Sequence, residues 1–338
     1  MLLCVYENRS VNEPAIRLLV ASLYAHMPRA RLRLRFNPKS DDFAQWIAAY
    51  PGVDFAPALL PASAGWNVKP TVLLEALEQG ESRVVWLDAD ILIAGDPSTL
   101  LDAASPELLT VTEEALWGRP SDVDAMRTRA WRLPVGRTLP FTLNSAVLSV
   151  TPHHIPLLHR WIELLETPDY RIAQAADWRS RPQHLMGDQD VLTALLGSVD
   201  YGDIPLRILR RGVDILQLFG PLGFTLAERR RVCREGLPPF LHAQGQRPWI
   251  DAPPPAGLLD RLTQAYYDVS PYLLLAKTHG VTGEERDWTR PRTMLGRFLR
   301  LIGRGSVPLT GAPLAVPFEG LRLAIAAKRR LVAKLRGR

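Results

Sequence analysis

Ser82 to Gly95 reads S-R-V-V-W-L-D-A-D-I-L-I-A-G, and the rest of the chain is arranged around this segment. Val84, Val85, Trp86 and Leu87 form a bulky apolar run that stops at Asp88-Ala89-Asp90 and resumes as Ile91, Leu92 and Ile93. Such a run is a buried strand that delivers two carboxylates at its tip. Alternation along an extended chain turns both acids to one side. In an apolar surround they are costly unless a partner neutralises them. A divalent cation is one such partner, because Mg²⁺ and Mn²⁺ take oxygen ligands, often one or two carboxylates together with substrate phosphates. A plainer reading has Asp88 cap a turn and Asp90 pair with an arginine.

To either side, strands alternate with helices. Leu2 to Tyr6 reads as a first strand with Glu7-Asn8 at its carboxyl end. Asn12 stands as cap of a helix with Pro14 in its first turn, and Ile16, Leu19, Val20, Leu23 and Tyr24 recur at helical spacing. Arg31 to Phe36 and Val53 to Phe55 follow as strands, around a short helix capped by Asp41. Successive strand–helix units imply a mainly parallel, Rossmann-like α/β sheet. Ligands of such sheets bind beyond the carboxyl ends of the strands. Glu7, Asn8, Asp88 and Asp90 are therefore expected around one crevice, with Lys69 of the loop Gly65 to Pro70, which precedes a helix at Thr71 to Gln79. Lys69 reads equally well as a solvated loop lysine.

Residues 96 to 140 have weak periodicity and read as an excursion over the sheet. Phe141 to Val150 returns as an apolar strand interrupted by Asn144-Ser145, where a buried amide needs a partner from ligand or backbone. In G-D-Q-D-V-L at 187 to 192, Asp188 and Asp190 open a helix, a position the helix dipole favours without any functional role. Phe240-Leu241-His242 ends a further strand before a glycine loop with Arg247, a place suited to metal and phosphate binding as well as to a structural histidine.

With 47% apolar and 22% charged residues among 338, the chain has ample core material and is not disordered throughout. Cys4 and Cys233 alone cannot make a disulfide framework or a four-cysteine zinc site, which fits a reducing, cytoplasmic setting. No leader and no long uncharged apolar run is legible. The net charge of +6 is unevenly spread: from Arg286 to Arg338, 13 Lys and Arg face only Asp287 and Glu319, so this part carries +11 and residues 1–285 carry −5. This divides the chain into a body, 1–285, and a basic extension, 286–338. In the extension Met294, Leu295, Phe298, Leu299, Leu301 and Ile302 project opposite Arg297, Arg300 and Arg304. Leu321, Ala324, Ile325, Val332 and Leu335 form a second stripe. Basic amphipathic helices suit an anionic membrane surface, here the inner face, although docking on the body would also cover them. An acidic body without a nucleic-acid motif argues against nucleic acid as partner, and none is expected.

Four separated segments resemble a known family: W-L-D-A-D-I-L-I at 86 to 93, L-N-S-A-V-L at 143 to 148, G-D-Q-D-V-L at 187 to 192 and H-A-Q-G-Q-R-P-W at 242 to 249. In order and spacing, over about residues 1 to 250, they are similar to glycosyltransferases of the GT-A fold, most like glycosyltransferase family 8, which includes glycogenin and bacterial lipooligosaccharide galactosyltransferases. The resemblance implies a metal-dependent hexosyltransferase moving a sugar, with retention, from a nucleotide sugar such as a UDP-sugar to a glycan or lipid-linked acceptor. It implies Asp88, Asp90 and His242 as ligands of Mn²⁺ or Mg²⁺, Asn144 and Asp188 on the donor sugar, and Gln189 at the β-face of the anomeric carbon. Glu7 and Asn8 would meet the uracil ring, and Lys69, Gly245 and Arg247 the diphosphate. Two departures stand out: Arg247 replaces a lysine and lies one residue closer to the glycine, and Ser145-Ala146 stands where a glycine is usual. An inverting enzyme would need a carboxylate base, for which Asp188, Asp190 and Glu114 are candidates. A sugar nucleotidyltransferase also holds Mg²⁺ with carboxylates, but Glu7-Asn8-Arg9-Ser10 offers no glycine-rich phosphate loop. A catalytically degenerate relative would bind the donor without turning it over.

Overall fold

The computed structural model describes residues 1–60, 62–102, 105–114, 125–218, 223–245, 247–250, 255–280 and 288–336. Its strands are β1 (Leu2–Glu7), β2 (Leu32–Phe36), β3 (Val53–Ala56), β4 (Val84–Leu87), β5 (Ile91–Ile93), β6 (Leu109–Glu114), β7 (Thr142–Val150), β8 (Leu206–Leu209), β9 (Ile215–Gln217) and β10 (Phe240–His242). Seven of them form a sheet in the order β3-β2-β1-β4-β7-β6-β8, and β5-β10-β9 form a second. The first four of the large sheet are parallel, β7 runs antiparallel to both β4 and β6, and β8 is parallel to β6. The expected α/β sheet is thus present, and it is mixed.

The segment Ser82 to Gly95 is two strands in two sheets. β4 ends at Leu87, the Ile91 amide donates to the Asp88 carbonyl at 3.1 Å to close a turn, and β5 leaves to pair antiparallel with β10. Asp88 and Asp90 therefore sit in the turn joining the sheets, which brings them to His242 at the end of β10.

Both faces of the large sheet are covered, which is why its central strands read as unbroken apolar runs. On β1, Cys4 and Tyr6 enter one apolar cluster with Leu73, Trp86, Trp161 and Val191, while Leu3 and Val5 enter another with Ile16, Leu19, Phe36 and Phe43. The helices Lys69–Glu78, Ile155–Leu165 and Asp188–Leu196 lie on the first face, and Glu13–His26 and Phe43–Ile47 on the second. Two expected caps are not formed. Asn12 precedes its helix without capping it, since its amide bonds Glu7 and Trp249. Asp42 rather than Asp41 precedes the short helix and accepts from Arg17.

The basic extension joins a third cluster, where Trp288, Leu299 and Leu314 pack with Leu241, Tyr266, Val269 and Tyr272. Its helix Met294–Gly303 is fixed by buried Asp268, whose Oδ2 accepts from the Thr293 backbone N–H at 2.8 Å and hydroxyl at 2.6 Å. Arg300 donates to the carbonyls of Asp268 and Thr289. The expected division of this helix therefore changes: Leu299 and Arg300 face the body, while Met294, Phe298, Leu301 and Ile302 face outward with Arg297 and Arg304. Of the second stripe, on the helix Ala312–Arg336, the side chains of Leu321, Ile325, Val332 and Leu335 lie outside the described ones. Among the described residues no helix is long and apolar enough to cross a membrane.

Gly296 marks how closely this helix approaches Asp268, because a Cβ there would fall 2.5 Å from the Asp268 Cβ. Gly296→Ala should lower the unfolding free energy by about 1–3 kcal/mol through overpacking. A urea titration showing an unchanged midpoint would mean that the helix is not seated on Asp268.

Candidate active site

Because β7 runs antiparallel to β4 and β6, its first residues lie beside their carboxyl ends, with Val147 opposite Leu87 and Leu143 opposite Glu113. Glu7, Asp88, Glu114, Asn144 and Ser145 thereby share one edge of the sheet. A cleft of about 310 Å³ opens there, and its wall includes Glu7, Asn8, Lys69, Asp88, Asp90 and Arg247.

Asp88, Asp90 and His242 each offer a ligand atom, and these atoms lie within 4.8 Å of one another. The imidazole Nε2 is 3.3 Å from an Asp90 oxygen, while the buried Nδ1 has no hydrogen-bond partner. Burial opposes charge on both groups, yet the imidazole beside it brings Asp90 down to about 2, and Asp90 raises His242 in turn. Two carboxylates, an imidazole and an orphaned ring nitrogen suit a divalent cation of the Mg²⁺, Mn²⁺ or Zn²⁺ type.

Lys69 is the first residue of its helix and is buried, not part of a solvated loop. Its ammonium lies 3.0 Å from Asp88, 3.5 Å from Asp188 and 2.7 Å from the Ser145 hydroxyl. Ser145 in turn donates to Asp188 at 2.6 Å. Burial works against the charge of Lys69, and the two acids outweigh it and lift its affinity for the proton. For Asp188 burial dominates, and its carboxyl titrates above the usual value although Lys69 opposes the shift.

Behind these residues Glu114 accepts from three amides at one oxygen: Asn144 at 2.8 Å, Gln244 at 2.9 Å and Gln189 at 3.3 Å. A carboxylate only accepts, so each amide turns its NH₂ towards Glu114. The Asn144 oxygen accepts from the Ala146 amide. Asn144 and Asp188 are thus buried members of a network behind the wall, and Gln189 is half-buried beside them.

At the other end of the cleft, Glu7 accepts from Arg9 through backbone N–H, Nε and Nη2 and from the Asn12 amide at 2.6 Å. Trp249 donates to Asn12 at 3.0 Å. Glu7, expected to meet a base directly, instead holds the Arg9 guanidinium, whose side chain stays 45% exposed. Asn8 lines the cleft beside it, and Gly245 turns the loop before Arg247 at φ 88°. Arg9 and Trp249 carry no site role in the sequence reading, and Glu114 enters it only as a candidate base for inversion, not as a hub of amides. The signals available were a cation two residues after a strand-end acid and an aromatic closing the 242–249 loop.

The two acids of the helix Asp188–Leu196 are not solvated dipole partners. Asp190 is buried and bonds Arg127 at 2.6 Å. Arg127 comes from residues 96 to 140, the region that periodicity could not order.

No protein-family model and no curated protein sequence matches the chain. By structure it is similar to the apo form of the glycosyltransferase GlyE of Streptococcus pneumoniae TIGR4, at 16% identity and a TM-score of 0.49 over 83% of this chain and 64% of that one. It is similar to the galactosyltransferase LgtC with donor and acceptor sugar analogues, at 16% identity and 0.47 over 74% and 90% of the two chains. A glycosyltransferase involved in glycosylating the major capsid of PBCV-1 aligns at 12% identity and 0.41 over 73% and 95%. The chain spans just under two thirds of the length of GlyE.

Removing one member of a buried ion pair costs about 3–5 kcal/mol, so Arg127→Ala should destabilise the fold by that amount and Arg127→Met with Asp190→Leu should recover most of it. Burial raises Asp190 from 3.8 to about 6 although Arg127 opposes the shift. A raised carboxyl contributes stability that is complete below the lower value and lost as pH rises through the upper one. The double variant should therefore lose the corresponding slope between pH 4 and 6 in denaturant midpoints, roughly the interval set by these values. An unchanged slope would exclude Asp190 as its source.

Proposed function

We propose that the protein is a GT-A-type glycosyltransferase that uses a nucleotide diphosphate sugar, with UDP-sugar as donor and a glycan or lipid-linked sugar as acceptor. The observation that carries this reading is the convergence of buried His242 on Asp88 and Asp90, which line a cleft with Arg9, Lys69 and Arg247. Mn²⁺ or Mg²⁺ held by that trio would supply a Lewis acid for negative charge developing on the departing diphosphate. Arg9 and Arg247 add positive charge at the same end, and Gly245 lets the loop turn beside them. Asn8 lies where the base would rest, and Glu7 acts through Arg9. Lys69, Asp188 and Asn144 form the floor under the donor sugar.

The carboxylates favour retention. Inversion needs a base opposite the leaving group, and each candidate is engaged: Glu114 by three amides, Asp188 by Ser145 and Lys69, and Asp190 by Arg127. In the retaining course the anomeric C–O bond to phosphate breaks, the acceptor oxygen bonds the same face, and the acceptor's proton passes to the phosphate oxygen that has left. Gln189, its NH₂ on Glu114, has its carbonyl oxygen for the electron-poor carbon. A nucleotidyltransferase is disfavoured, since β1 is followed by a short 3-10 turn, Ser10–Asn12, and not by a glycine-rich phosphate loop.

The outward face of the helix Met294–Gly303 supports attachment to an anionic bilayer on its cytoplasmic side. Met294 and Leu301 are each 76% exposed, Phe298 56% and Ile302 52%, next to exposed Arg297 and Arg304. Each cation near such a leaflet contributes about 1 kcal/mol. Deleting the extension would strip Leu299 and Leu314 from the core, so point changes are the proper test. Phe298→Glu with Leu301→Glu should release the protein from phosphatidylserine vesicles in a flotation assay without lowering its melting temperature. Equal flotation of variant and parent would remove the membrane from the reading.

Calorimetry with UDP tests the donor site. Binding in Mn²⁺ should weaken at least about tenfold on adding EDTA, or in Asp90→Asn, with the fold retained. Equal affinity in all three conditions would take the trio out of the donor site.

A further inference from the structure

Trp66 is nearly half exposed, at 46%, on the wall of the cleft. An exposed indole on a surface loop is unremarkable by itself, but this one is fixed from three sides. Gly65 takes φ 51° and ψ −130° inside the 3-10 segment Ala62–Val68, a conformation that L residues resist, and this break sets Trp66 out of line with its neighbours. The indole N–H bonds the hydroxyl of buried Tyr170, which itself donates to Asn67 at 2.8 Å. Its ring nitrogen also lies 3.8 Å from where a Cβ of Gly187 would stand, so the indole overhangs the start of the helix that carries Asp188 and Gln189.

Two bonded groups of residues stand at the cleft. Glu7, Arg9, Asn12 and Trp249 belong to one, and Lys69, Asp188 and Ser145 to the other. Trp66 stands with the second, over Gly187 at the start of the helix that carries Asp188. A rigid aromatic face left open to water beside a sugar-binding floor is a surface for the C–H face of a second pyranose. Its wall continues in Gln174 and Arg181, and the five N–H groups of Arg181 all go to oxygens of Gln174, Ala176 and Met186, which stiffens that side.

We infer that Trp66 is the platform of the acceptor subsite and that the acceptor is a pyranoside whose apolar face stacks on the indole. The inference rests on the glycosyltransferase reading and adds the place and chemistry of acceptor recognition. It makes Trp66 a binding residue for the second sugar, with no part in holding the nucleotide.

The test uses the full chain with UDP and Mg²⁺, titrated by NMR with a panel of p-nitrophenyl hexopyranosides, and in parallel measures UDP affinity and hydrolysis of UDP-hexoses. At least one hexoside should bind, Trp66→Ala should weaken it about tenfold or more, and Trp66→Phe should restore most of the loss. UDP affinity and donor hydrolysis should stay within about twofold of the parent, because the indole bonds Tyr170 and not the group of Glu7, Arg9, Asn12 and Trp249. Binding of no hexoside to the UDP-loaded protein, or equal binding by Trp66→Ala, overturns the inference. A loss confined to UDP-hexose, with hexoside binding intact, makes Trp66 a donor-sugar group and overturns it too. If the parent neither binds UDP nor hydrolyses any UDP-hexose, it is the glycosyltransferase reading that fails.

Discussion

The site depends on one buried cation. Lys69 opens its helix, where the dipole disfavours positive charge, and it is only 4% exposed. Neither condition would be tolerated without compensation, and Asp88 and Asp188 beside the ammonium supply it. The ammonium thereby joins the turn after β4 to the start of the helix Asp188–Leu196, with Ser145 of β7 between them. Three elements distant in sequence are locked by one charge, and each carries a residue of the cleft or its floor. Pro70, next to Lys69, suits the first turn of a helix because it has no amide hydrogen to satisfy there.

Strands at the centre of the sheet were legible because both of their faces are covered. Leu2–Glu7, Val84–Leu87 and Thr142–Val150 are buried throughout, so their composition alone marks them. The convergence of Asp88, Asp90 and His242 was also legible, because His242 ends a strand and the two acids sit in the turn that a D-x-D spacing advertises. What the sequence could not show is which partner each polar residue takes. Asn12 has the composition and place of a cap, yet Glu7 and Trp249 claim its amide, the latter from 237 residues away. Asp190 looks like a first-turn acid, but Arg127, 63 residues earlier, turns it into half of a buried pair. Arg300 projects onto the polar side of its helix, and two carbonyls of the body draw it inward. Helical projection assigns faces by apolarity alone, whereas a glycine such as Gly296 decides which face can come close.

Glu114 shows how one buried charge can orient several neutral groups. Its three amide donors arrive from β7, from the helix Asp188–Leu196 and from the loop after β10. Because the carboxylate cannot donate, it fixes the sense of all three amides at once, and a neutral acceptor of the same shape would leave each free to turn over. That leaves the Gln189 carbonyl oxygen, rather than its NH₂, turned away from Glu114. The same bonds load one of its two oxygens, so accepting a proton there would mean breaking charge-assisted hydrogen bonds in a buried setting.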